Sequence, residues 1–360
     1  MPRISDIFTN VAVYVYQCLE DASNGEAFGG SGFLVAMPLE VNKEWYSFYA
    51  VTNRHVVAKA GTPVLRLNRK DGSVECIPTR EDQWLFHPGG DDVAVMPLDI
   101  QWQEYKFFAF SIKDFVTEKR IADEDIGIGD DTVMIGRFIN HDGCQRNAPA
   151  VRFGNIAMMH HEPIVSEETG IAQESFLVEV RSLPGYSGSA VLLWSPCAIN
   201  DMSRSRLGAG KPNLAWAMAT KETAFRAASQ MSEFTVKQLT SPKGPYLLGI
   251  DWCHIPRKAP IRSRDGRPID DGWYVQENTG MAGVIPAWKI ADILNGEELT
   301  IQRQKQDEEM TKQKSNAASA LDFAERPTQI TVHGAKIPIP TQEQFLDDLT
   351  KASRKINPGG

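Results

Sequence analysis

The chain has 360 residues, a formal net charge of −8 and five cysteines, with a mass of 40.0 kDa and a pI near 5.5. With 42% hydrophobic residues it can fill a sizeable core, and its length exceeds that of one small domain. The acidic balance lacks the footprint of a nucleic-acid binder, no run reaches the ~18 apolar residues of a membrane helix, and the odd, widely spaced cysteines argue against a disulfide framework.

Met1 to Asp6 carries one Arg and no apolar stretch of the kind a secretory leader needs. Together with the cysteine usage this implies a reducing compartment, and the expected location is the cytoplasm of a bacterium. Val11–Tyr16 favours a first strand through its β-branched and aromatic residues. Strand-like runs then recur at Gly32–Met37, Trp45–Thr52, Val64–Asn68, Val74–Pro78 and Val93–Met96, with Lys70-Asp71-Gly72-Ser73 as a hairpin turn. Many short strands at regular spacing indicate a barrel over about residues 10–100. Residues 100–125 read as a connector.

A second barrel is expected over about 126–285. Its strands are Asp131–Gly136, Val151–Met158, Ser175–Val180, Tyr246–Trp252 and Met281–Pro286. Pro286 and the helically spaced apolar residues through Leu294 predict a closing helix over 286–295. The polar 198–243 stretch is an insertion. Its Gly208-Ala209-Gly210-Lys211-Pro212 lacks the first glycine and the Ser/Thr of a phosphate loop, so nucleotide binding is rejected. Residues 296–325 form a charged helix or tether. Residues 326–360 are a tail in which Thr341 and Gln344 fit a capping box.

Three segments carry chemistry. Thr52-Asn53-Arg54-His55-Val56-Val57 puts an imidazole at the end of a strand, Asp91-Asp92-Val93-Ala94-Val95 puts an acidic pair before another, and Gly185-Tyr186-Ser187-Gly188-Ser189 puts a serine on a glycine-flanked turn. A serine hydroxyl needs a base that works near neutral pH, and that base needs a carboxylate to fix its tautomer. Of the two acids, Asp92 directly precedes the Val-Ala-Val run and is chosen, while Asp91 is expected to face solvent.

These boxes resemble those of trypsin-like serine peptidases, nearest in flavour to the bacterial Deg-type (high-temperature-requirement) and glutamyl-endopeptidase branch. The similarity covers roughly residues 10–295. It implies an all-β fold of two antiparallel six-stranded barrels with a C-terminal helix, in a peptidase domain spanning 1–295. It also implies a His55–Asp92–Ser187 triad, in the chain order His, Asp, Ser, an oxyanion hole from the N–H groups of Gly185 and Ser187, and peptide-bond hydrolysis through an acyl-enzyme without metal or cofactor.

Two departures matter: Tyr186 stands where digestive relatives carry aspartate, and no matching activation N-terminus is present. Activity is then constitutive or controlled by loops or a partner protein, and control is expected. Ungapped comparison puts Arg181 near the base of the primary pocket, with Ile250, Asp251, Trp252 and Gly283 on its walls. A buried arginine there would favour an acidic side chain in the substrate, unless it pairs with Glu179 or Asp251. His160-His161-Glu162 is set aside as a zinc site, because neighbouring histidines on a strand point to opposite faces. The alternatives are a catalytically silent barrel that binds peptides or acts as a scaffold, and an esterase on the same triad.

Overall fold

A computed structural model describes residues 4–26, 29–43, 45–61, 63–100, 102–137, 143–165, 170–180, 185–194, 245–265, 269, 273–325, 328–330 and 336–338, with side chains as far as 312. Arg181, Cys197, the 198–243 insertion and the Thr341 capping box lie outside these residues.

In chain order the first half comprises β1 (Ala12–Tyr16), α1 (Leu19–Asn24), β2 (Gly30–Pro38), β3 (Tyr46–Thr52), α2 (Arg54–Ala60), β4 (Val64–Asn68), β5 (Val74–Pro78), β6 (Leu85–Phe86), β7 (Ala94–Leu98), β8 (Phe110–Ser111) and α3 (Glu118–Glu124). The strands form one sheet in the order β5-β4-β1-β2-β3-β7-β6, with β8 added parallel to β2 through Val35 and Phe110. Every pair along that path is antiparallel, as hairpin-linked strands favour. The β4–β5 turn is the expected one, with Gly72 at φ +92 in the left-handed region that glycine enters without cost.

The second half contains β9 (Asp131–Gly136), β10 (Ala150–Met158), β11 (Pro163–Val165), β12 (Ala172–Glu174), β13 (Phe176–Glu179), β14 (Ala190–Leu193), β15 (Tyr246–Pro260), β16 (Tyr274–Pro286) and α4 (Ala287–Leu294). Six of these strands close into a barrel in the order β10-β13-β16-β15-β14-β9, while β11 and β12 pair separately. The fold is thus all-β with C-terminal helices. The second barrel is closed as expected, whereas the first half is an open sheet among the described residues.

One apolar cluster lies between the two halves. Phe33, Val35, Val51 and Val95 of the sheet meet Val133, Ile135, Leu192, Ile250 and Ile285 of the barrel, together with Ile290 and Leu294 of α4. Burying each such side chain contributes about 1.5–3 kcal/mol.

The chain divides into two compact units, one of residues 1–38 and 44–300, the other of 39–43 and 301–360. The second contains most of α5 (Glu297–Glu325) and the short pair β17 (Thr328–Ile330) and β18 (Lys336–Pro338). Among the described residues no helix is long and apolar enough to cross a membrane.

Candidate functional site

His55 does not end a strand. β3 stops at Thr52, Asn53 is the extended N-cap residue, and His55 is the second residue of α2. The first N–H groups of a helix lack partners inside it. Asn53 leaves them alone, because its amide donates to the Asp92 carbonyl at 2.9 Å. The Asp92 carboxylate takes the role instead: Oδ1 accepts the His55 N–H at 2.8 Å, and Oδ2 meets His55 Nδ1 at 2.5 Å. A single buried carboxylate therefore caps α2 and orients the imidazole, whose side chain keeps 24% exposure. Asp92 is fixed in turn, because its own N–H donates to Gln173 Oε1 at 2.8 Å.

The Ser187 turn is built from two left-handed glycines, Gly185 at φ +94 and Gly188 at φ +90. A Cβ on Gly188 would collide with the Ser31 carbonyl and the Thr52 hydroxyl, so the turn packs tightly on β2 and β3. Ser31 holds it there. The Ser31 N–H donates to the Ser187 carbonyl at 2.8 Å, and Ser31 Oγ donates to the Gly185 carbonyl at 2.9 Å while accepting the Arg137 N–H at 2.8 Å. On the other side Gly188 N–H donates to the Asp251 carbonyl at 2.8 Å. Gly30 lies between the two parts of the site: a Cβ there would strike the Val56 side chain and stand 3.2 Å from the Ser187 carbonyl.

The geometry thus joins His55 to Asp92 directly and brings the Ser187 backbone against the strands that lead to them. Among the described residues no hydrogen bond links Ser187 Oγ to His55. Tyr186, in the place of the aspartate, is fully buried, and its hydroxyl accepts from Arg152 Nε at 2.8 Å beneath the same guanidinium. Burial pushes its phenol pKa upward.

The expected pocket residues are distributed differently. Ile250 is fully buried in the apolar cluster, and Trp252 belongs to the same cluster with Nε1 donating to Ser175 Oγ at 2.9 Å. Gly283 lies against the Trp252 indole, where a side chain would not fit. Asp251 is buried and supplies backbone bonds to the serine turn.

Two further expectations are corrected. Asp91 does not face solvent: its side chain is 13% exposed and meets His87 Nδ1 at 2.9 Å and Lys289 Nζ at 3.3 Å. Hairpin turns favour solvation, but α4 delivers a cation onto this one. His160 and His161 lie on a turn after β10, and their rings are 5.1 Å apart, so strand alternation does not separate them.

Sequence reasoning missed Gln173, whose partner Asp92 comes from a distant part of the chain. It also missed Ser31, whose partners Gly185 and Arg137 lie far along the chain.

No protein-family model matches the chain, and no curated protein is similar to it in sequence. Among solved structures, the MamO protease domain from Magnetospirillum magneticum in its apo form is 16% identical over 81% of this chain and 100% of that one, with a TM-score of 0.42. The inactive form of the Rv3671c protease is 12% identical over 79% and 88%, with a TM-score of 0.38. Its active form, from M. tuberculosis, is 11% identical over 80% and 82%, with a TM-score of 0.35.

Proposed function

We propose that the protein is a serine endopeptidase of the trypsin-like kind, with Ser187 as nucleophile, His55 as general base and Asp92 as the orienting carboxylate. The observation that carries this reading is the double contact of one buried carboxylate with the His55 backbone and Nδ1. It leaves Nε2 as the ring nitrogen to take a proton. In the proposed reaction Ser187 Oγ attacks the substrate carbonyl as His55 takes its proton. His55 then protonates the leaving amine, and water releases the acyl group by the reverse path. The N–H groups of Gly185 and Ser187 donate to no backbone carbonyl among the described residues and would serve the oxyanion.

The domain reading that accompanies this is a peptidase body of residues 1–295 followed by a tether and a tail, with protein or peptide as substrate and control by loops or a partner. Arg181 remains the proposed selector for an acidic substrate side chain.

One observation favours a second reading, a silent barrel that binds peptides: the missing Ser187–His55 hydrogen bond. Such bonds are often long without substrate and tighten in the complex. A fluorophosphonate probe separates the two. Labelling of the purified chain that disappears in Ser187→Ala and His55→Ala supports the peptidase. Absence of labelling, with hydrolysis of denatured protein also absent, supports the silent barrel.

A further inference from the structure

Outside the proposed triad, three side chains from separate elements converge. Glu118 opens α3, His160 lies on the turn after β10, and Glu174 ends β12. Each offers a ligand atom, and these atoms all lie within 4.8 Å of one another. Around one ion with bonds of about 2.0–2.1 Å, tetrahedral donors stand about 3.3 Å apart. Glu118 is the exposed member of the three.

We infer that Glu118, His160 and Glu174 form a binding site for a first-row divalent transition metal, zinc being the best match. An imidazole nitrogen among carboxylate oxygens favours such an ion over magnesium or calcium, which prefer oxygen alone. Three protein ligands leave a fourth position for water.

Several observations distinguish this cluster from a chance meeting of acids. The His160 ring is held in place by Phe176 at 5.0 Å and Trp288 at 4.9 Å, both edge to face. Its Nδ1 is shielded from solvent and has no hydrogen-bond partner among the described residues. Lys289 is the cation that now sits on Glu174, with Nζ 2.9 Å from Oε2. It also reaches Asp91, so it keeps a partner when Glu174 turns to an ion.

The site would cross-link the start of α3, the turn after β10 and β12. The residue before Glu174 is Gln173, which holds the backbone of Asp92. An ion there would therefore brace the strand on which the carboxylate of the proposed triad rests. The binding claim itself does not depend on peptidase activity.

The test is titration of cobalt(II) and zinc into the untagged, metal-free full chain. One ion per chain is expected, with the weak visible bands of nitrogen and oxygen ligands and no intense sulfur-to-metal band. Loss of even an outer partner of a metal site costs about 10–100-fold in affinity, so His160→Ala and Glu118→Gln should each weaken binding at least about tenfold. His161→Ala should leave it unchanged. Glu118 is on the surface, so its variant tests the site without threatening the fold. Absence of binding, wild-type affinity in both ligand variants, or a sulfur band pointing to the cysteines would overturn the assignment.

Discussion

Ser31 is the residue on which the Ser187 turn hangs. Its hydroxyl is fully buried and serves two backbone groups at once, donating to Gly185 and accepting from Arg137. Ser31→Ala would leave both buried groups without that partner, at a cost of about 1–3 kcal/mol in stability. On the proposed peptidase reading, Ser31→Ala should also lower kcat more than it raises KM, measured at a temperature where the variant is folded. A fall in stability with kcat intact would reduce Ser31 to a structural role. The residues of the proposed triad could be picked out in the sequence because each sits in a local box whose chemistry is carried by neighbours in the chain. Ser31, Gln173 and the Glu118–His160–Glu174 cluster were not, because their partners come from distant elements. Asp91 shows the same limit: nothing beside it in the chain announces Lys289.

At the level of elements, β5 is tied to the segment before β8 by one polar cluster. Glu75 accepts from Arg69 at 2.9 Å and makes a very short bond with the Tyr105 hydroxyl, while Arg69 also reaches Glu104 at 2.9 Å. The Tyr105 hydrogen bond, followed by Arg69, pulls the Glu75 pKa down. Burial, followed by the hydrogen bond to Glu75, pushes Tyr105 up to about 12 from 10.0. The folded state then holds this proton more tightly than the unfolded one. The stability it contributes is full below pH 10.0 and is lost as pH rises towards about 12. Denaturant unfolding across that range should show a falling limb that Tyr105→Phe flattens; an unchanged slope would remove Tyr105 from the account. Strand elements were largely legible, since alternation and β-branching mark them locally. The short strands β6, β8, β11, β12 and β14 were not read, and α2, with its Val56-Val57 pair, was read as strand. There the Asp92 carboxylate and the burial of Val57 in the core override local preference.

Over the whole molecule, contacts between residues far apart in sequence set the organisation. In the second unit Asp307 of α5 accepts from the Val41 N–H at 2.7 Å, from the Asn42 N–H at 3.1 Å and from the Asn42 amide at 2.6 Å. The Val41 bond is the leading cause that holds its carboxyl below 3.8. Its contribution is present above pH 3.8 and is lost as pH falls through the depressed folded value. The Val41 and Asn42 amide signals should titrate in NMR spectra with a midpoint below 3.8, and Asp307→Asn should speed tryptic cleavage after Lys43 several-fold. A midpoint at or above 3.8 would refute the clamp. The two-part β architecture was legible from strand count and spacing, but that only the second barrel closes among the described residues was not, because closure depends on which distant edges meet.

The serine turn is stitched to β2 on one side and to β15 on the other. Neither half of the molecule can breathe at this place without the other. In hydrogen exchange the amides of Ser31, Gly188, Ser189 and Asp251 should therefore open together, as one cooperative unit near the global unfolding limit. Such a turn is set once, at folding.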